Sequence, residues 1–134
     1  MTNEEKIQYW IKLSDKDLIV AEDLLSLKHY LQMGFFCHLA IEKIFKACYE
    51  KLKKETPPYK HKLALIAQQA GFYNTLSEKQ KDFAGQLDAF NIEARYPEHK
   101  DAVAKSLTLK KSADLLKKTK ELQLWIKEKT LSIK

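Results

Sequence analysis

The chain has 134 residues, 45% of them hydrophobic, and a formal net charge of +6. That length fits one domain, residues 1–134, which buries roughly two-thirds of its unfolded surface and needs no disulfide or metal staple. Three glycines and three prolines are too few for the many turns of an all-β protein, whereas Lys, Glu, Leu and Ala favour helix, so the composition points to an all-α fold.

The first segment, about Glu4 to Leu27, repeats Ile7, Ile11, Leu18, Ala21 and Leu25 at helical spacing. Trp10, Leu13, Val20 and Leu24 widen the stripe. Thr2 and Glu5 supply a capping box at its start. The second segment, about Leu31 to Lys53, carries two adjacent apolar rows, Phe36–Ala40–Ile44–Ala47 and Cys37–Ile41–Cys48–Leu52. So broad an arc predicts the central helix of a bundle. Glu42, Lys43, Lys46, Glu50 and Lys53 hold the remaining side. Pro57 and Pro58 stop the helix.

A short helix is predicted from about Lys62 to Ala70, closed by Gly71 in the left-handed conformation. The next begins at Ser77, where Ser77 and Gln80 can satisfy each other's free amides. Phe83, Leu87 and Phe90 form its inner face, and it ends near Ile92 or Glu93. A helical turn in "HKDAVAKS" precedes the last segment, about Ser106 to Lys129. There Leu109, Ala113 and Leu116, with Leu115, Leu122, Trp125 and Ile126, are expected to face inward. Three long and two short helices make an up-and-down antiparallel bundle of about five helices.

Cys37 and Cys48 lie eleven residues apart in one helix, about 16 Å along its axis, so they form no disulfide with each other. Buried free thiols fit a reducing cytosol. No signal-like N-terminus or membrane-spanning run is present, and a cytoplasmic location is expected. The positive charge favours acidic partners such as nucleic acid or nucleotides. On charge alone, lysines spread along the chain read first as solvated helix faces.

The usual catalytic arrangements are missing. His29, His38, His61 and His99 show no HxxH or HExxH spacing, and there is no CxxC, so neither metal nor cofactor is expected. His38 and Glu42 share a helix face but read as a hydrogen-bonding pair. Asp15 and Asp17, two apart on a helix, do not face each other. Three scattered glycines make no phosphate-cradling loop.

What stands out is "ARYPEHK". Arg95 is the only arginine beside twenty-three lysines. Pro97 biases Tyr96 away from helical geometry. Arginine presents a planar donor fork suited to phosphate or carboxylate. Tyr96 can stack on a base or pack inward, and His99 titrates near neutral pH. The alternative is structural: Arg95 bridging to Glu93, Glu98 or Asp88.

Four stretches in order resemble the HEPN family ("higher eukaryotes and prokaryotes nucleotide-binding"): "YWIKLSDKDLIVAEDLL", "GFFCHLAIEKIFKACYE", "PPYKHKLALI" and "ARYP". The resemblance covers nearly the whole chain. It implies a helical bundle that dimerises around its central helices, and a role near RNA or nucleotides. Relatives include metal-independent ribonucleases with an Arg and a His four to six residues apart. Many are toxins restrained by a small nucleotidyltransferase. Here three residues stand between Arg95 and His99, a departure from that spacing. The leading expectation is a nucleotide- or RNA-binding module, a homodimer paired with a nucleotidyltransferase in a toxin–antitoxin-like system. Arg95 and Tyr96 are its candidate binding residues; Lys43 and Lys46 add positive potential if they project toward the cleft, and otherwise lie on an exposed helix face. The alternatives are a ribonuclease using Arg95 and His99, and a helical interaction protein without catalysis.

Overall fold

The computed structural model describes residues 1–93, 102 and 104–134. The regular elements among them are α1 (Asn3–Ser26), α2 (Tyr30–Lys53), α3 (Leu63–Ala70), a 3-10 turn (Tyr73–Thr75), α4 (Glu78–Glu93) and α5 (Leu109–Ser132). Ala102 and residues 104–106 are also helical. The chain is an all-α bundle with α2 at its centre.

Capping chemistry sets most of the boundaries. Thr2 Oγ1 accepts from Glu5 N–H at 3.1 Å, and Thr2 N–H donates back to Glu5 Oε1 at 3.2 Å. The Ser77–Gln80 pair does the same at the head of α4, at 2.9 and 3.1 Å. Gly71 closes α3 with φ of 92°, a conformation that costs glycine nothing. The last helix begins three residues later than its hydrophobic pattern predicts. Thr108 is extended, and its hydroxyl accepts from Lys111 N–H at 3.1 Å. That cap outweighs the propensity of the residues before it.

Cross-helix pairs give the directions. Asn3 meets Lys54, Trp10 meets Glu50 and Ser14 meets Ala40, so α1 and α2 are antiparallel. His38 meets Asp88, and Gly34 lies against Phe90, so α4 is antiparallel to α2 as well. Gln123 meets Ser14 and Lys120 pairs with Glu22, so α5 runs against α1. It therefore runs alongside α2 in the same direction.

Ile7, Ile11 and Ala21 of α1, most of α2, Phe83, Leu87 and Phe90 of α4, and Leu115, Leu116, Leu122 and Ile126 of α5 form one core. Two expectations are corrected. Leu109, Ala113 and Trp125 are exposed, while Ser112, Thr119, Gln123 and Thr130 are buried in α5. The threonines manage this because each hydroxyl bonds back to the carbonyl four residues earlier, Leu115 and Ile126, at 2.8 Å. A hydroxyl satisfied within its own helix can face an apolar neighbour. The other correction concerns α2: its charged side is not a solvent face. Glu42, Lys46 and Glu50 are buried and Lys43 is half-buried.

Candidate functional site

Four residues at intervals of four, His38, Glu42, Lys46 and Glu50, run down one line of α2, since positions i and i+4 stack along a helix. Every one is buried. A buried charge is tolerated only when paired, and neighbouring elements supply the partners. Lys46 Nζ lies 3.1 Å from Glu42 Oε2, within α2 itself. His61, in the loop before α3, brings Nδ1 to 3.1 Å from Glu42 Oε1. From α4, Asp88 Oδ1 lies 3.1 Å from His38 Nε2 and accepts from Leu63 N–H at the same distance. Asp88 thus caps α3, whose own N-cap residue, Lys62, offers no side-chain bond. From α1, Trp10 Nε1 donates to Glu50 Oε2 at 3.2 Å, and Lys6 Nζ approaches Glu50 Oε1 at 3.9 Å. Lys46 also sits 5.7 Å from the centre of the Trp10 ring.

This ladder binds α1, α2, α3 and α4 into one polar seam. Alternating acids and bases neutralise one another along it, so it holds the fold together and presents no free nucleophile. Two atoms in it, His38 Nδ1 and Glu50 Oε1, have no hydrogen-bond partner among the described residues. Sequence spacing put His38 and Glu42 on one face, but the hydrogen bond expected between them is not made: His38 Nδ1 stands 3.9 Å from Glu42 Oε1, and the two bond instead to Asp88 and to Lys46 and His61. Spacing did not reveal His61, Asp88 and Trp10 as members, because their approach is tertiary.

Lys43 and Lys46 do not stand on an exposed face. Lys43 Nζ is bound to Asp17 Oδ2 at 2.6 Å. Burial pushes the Asp17 carboxyl above its ordinary range, with the Lys43 ammonium pulling the other way. Both lysines are already neutralised by carboxylates. Asp15 and Asp17 point to different helices, Asp15 to Gln123 and Lys127 of α5 and Asp17 to Lys43 of α2. Arg95, Tyr96, Pro97 and His99 lie outside the described residues.

A concave surface lies between α4 and α5. Two adjoining clefts of about 410 and about 640 Å³ share Phe83, Gln86 and Lys118, volumes within the usual range for ligand pockets. Their floor is apolar, through Phe83, Phe90, Leu115 and Leu122. Among the described lining residues Lys79, Lys111 and Lys118 are matched in number by Asp82, Asp114 and Glu121. Among the described residues no group of three or more His, Cys, Asp and Glu is placed to hold a metal ion. No described helix is long and apolar enough to cross a membrane.

The bundle and its buried ladder define a small helical module with both faces of its central helix in use. The family model for the HEPN domain matches residues 7–129. The chain belongs to the HEPN family. No curated protein and no solved structure matches it.

Proposed function

We propose that this HEPN domain is a nucleotide- or RNA-binding module. In this reading it acts as a cytoplasmic homodimer and partners a small nucleotidyltransferase in a toxin–antitoxin-like pair. The observation that carries the reading is the family match across residues 7–129, joined to a net charge of +6. Arg95 and Tyr96 are the binding residues: they follow closely on Glu93, the last residue of α4. Lys43 and Lys46 contribute only if a phosphate displaces Asp17 or Glu42, and the burial of Lys46 opposes that exchange.

A second reading has one feature in its favour, an arginine followed closely by a histidine just past α4. In it His99 takes the proton of a ribose 2′-hydroxyl as that oxygen attacks the adjacent phosphorus. Arg95 stabilises charge on the phosphate, and the 5′-oxygen leaves with a proton. The products are a 2′,3′-cyclic phosphate and a 5′-hydroxyl, with no metal involved.

One set of measurements separates the readings. The protein is titrated into labelled single-stranded RNA with EDTA present, and the RNA is then run on a denaturing gel. Binding without cutting, weakened at least ten-fold by Arg95→Ala, supports the module. Cutting that Arg95→Ala and His99→Ala both abolish supports the ribonuclease. Binding and cutting untouched by Arg95→Ala overturn both assignments. Sedimentation at twice the monomer mass supports the homodimer, and a monomer at micromolar concentration removes it.

A further inference from the structure

The loop joining α2 to α3, residues 54–62, reads "KETPPYKHK". Tyr59 within it is 89% exposed, the most exposed large hydrophobic residue among those described. Single exposed apolar residues are common. What sets Tyr59 apart is how it is held. Pro57 and Pro58 fix their own backbone angles, and Lys60 N–H donates to Pro58 O at 2.8 Å, forming a tight turn around the tyrosine. Lys6 Nζ of α1 donates to Thr56 Oγ1 at 3.3 Å, and Asn3 Nδ2 donates to Lys54 O at 2.9 Å, so the loop's first half is tied to α1 at two points. The Tyr59 ring stands edge to face with His61, centroids 5.0 Å apart at 76°. His61 in turn is anchored at 3.1 Å to buried Glu42. The ring is therefore linked through two contacts to the central ladder while most of its surface remains in water.

The charge around it is lopsided. Lys53, Lys54, Lys60 and Lys62 are exposed, and among the described residues none of their ammonium groups has a partner. Lys51 is different, since it pairs with Glu4 at 3.4 Å. The one acid of the loop, Glu55, is occupied by the Tyr49 hydroxyl at 3.0 Å. Lys54 even holds a left-handed backbone, φ 56°, which glycine would adopt more easily.

We propose that this loop is a stacking platform for single-stranded nucleic acid, with Tyr59 under a base and Lys53, Lys54, Lys60 and Lys62 against the flanking phosphates. An aromatic plane surrounded by cations is how proteins hold unpaired strands. An anionic membrane would meet the same lysines. It would also call for several apolar side chains on one amphipathic helix, and Tyr59 is alone in a rigid turn. The inference rests on the RNA-binding reading but places the contact in the loop after α2, at the opposite end of that helix from Gly34, where Phe90 near the end of α4 packs, so the two can fail separately.

The test uses the full chain with fluorescein-labelled decauridylate, read by anisotropy at low salt. It is repeated with a 5-bromouridine version that is irradiated and mapped by peptide mass. Tyr59→Ala is expected to weaken binding about five-fold or more, the loss of one stacked base. Tyr59→Phe, which keeps the ring, should bind within about two-fold of the parent, and the cross-link should fall on Tyr59. Unchanged binding in Tyr59→Ala, or cross-links only elsewhere, overturns this platform and leaves RNA binding standing. No binding by the parent protein overturns both. Tyr59-dependent binding to phosphatidylserine vesicles without binding to decauridylate assigns the loop to a membrane surface and overturns it as well.

Discussion

Glu42 takes part in three polar contacts at once: Lys46 and His61 at 3.1 Å and His38 at 3.9 Å. Truncating it leaves the Lys46 ammonium buried without its partner, a change that costs about 3–5 kcal/mol in comparable pairs. Glu42→Ala should lower the urea midpoint accordingly. Adding Lys46→Met, which removes the orphaned charge while keeping the bulk, should recover much of the loss; simple additivity of the two would show that they do not interact. Asp17 gives a pH signature. Its carboxyl is raised by burial, so the native state binds that proton more tightly than the unfolded chain does. The resulting stability is complete below the ordinary carboxylate value near 4 and is lost as pH rises through the raised native value. Urea midpoints followed upward from about pH 4 should fall less in Asp17→Asn than in the parent, and parallel curves would refute the assignment. The cysteines make the opposite point about reactivity. Burial pushes the Cys37 thiol up to about 11 and raises Cys48 also. Neither should react with a disulfide reagent at pH 8 until urea unfolds the chain, since only the thiolate attacks; prompt reaction would place a thiol at the surface.

Among the elements, α2 and α4 cross where Gly34 faces the Phe90 ring. A Cβ on Gly34 would stand 2.2 Å from Phe90 Cδ1, far inside van der Waals contact. Gly34→Ala gains helix propensity, yet overpacking of a filled contact costs typically about 1–3 kcal/mol. The net effect on thermal unfolding should be destabilising. Phe90→Leu in the same chain should relieve part of it; a stabilised single variant would mean the helices shift apart freely. This crossing also marks where sequence reading stopped. Helix starts at Thr2 and Ser77, the stop at Gly71 and the inner face of α4 were legible because they rest on residues a few positions apart. The centrality of α2 was legible from its two apolar rows. Its charged side was misjudged because Glu42, Lys46 and Glu50 look like solvent residues until Asp88, His61 and Trp10 arrive from other elements. The inward threonines of α5 were hidden for a related reason: a hydroxyl that bonds to its own helix carries no sequence mark of burial. Of the candidate binding set, only Lys43 and Lys46 fall among the described residues, and there pairing with Asp17 and Glu42, invisible in a list of charges, changes their character.

Across the described molecule much of the positive charge is spent on acids. Lys43, Lys46, Lys51, Lys81, Lys118, Lys120 and Lys127 are each paired with an acid. The described lysines and acids lining the α4–α5 groove are equal in number. Among the described residues Lys53, Lys54, Lys60 and Lys62 are unpaired, as are exposed lysines elsewhere such as Lys110 and Lys117, but they crowd into ten residues of sequence and so concentrate charge at the α2–α3 junction. A concentration of that kind has a measurable slope. For single strands the logarithm of affinity falls by about 0.7 per phosphate contact for each decade of salt. Four contacts give a slope of about −3, or roughly fifty-fold weaker binding between 50 and 200 mM salt. Removing two of them with Lys60→Ala and Lys62→Ala should flatten the slope by about 1.4. Removing Lys110 and Lys117, which are exposed on α5, should leave it unchanged. Equal flattening by both pairs would mean that the polyanion responds to net charge wherever it lies, because distance along the bundle would then carry no weight. Flattening confined to the loop pair would mean that binding is governed by where unpaired cations converge.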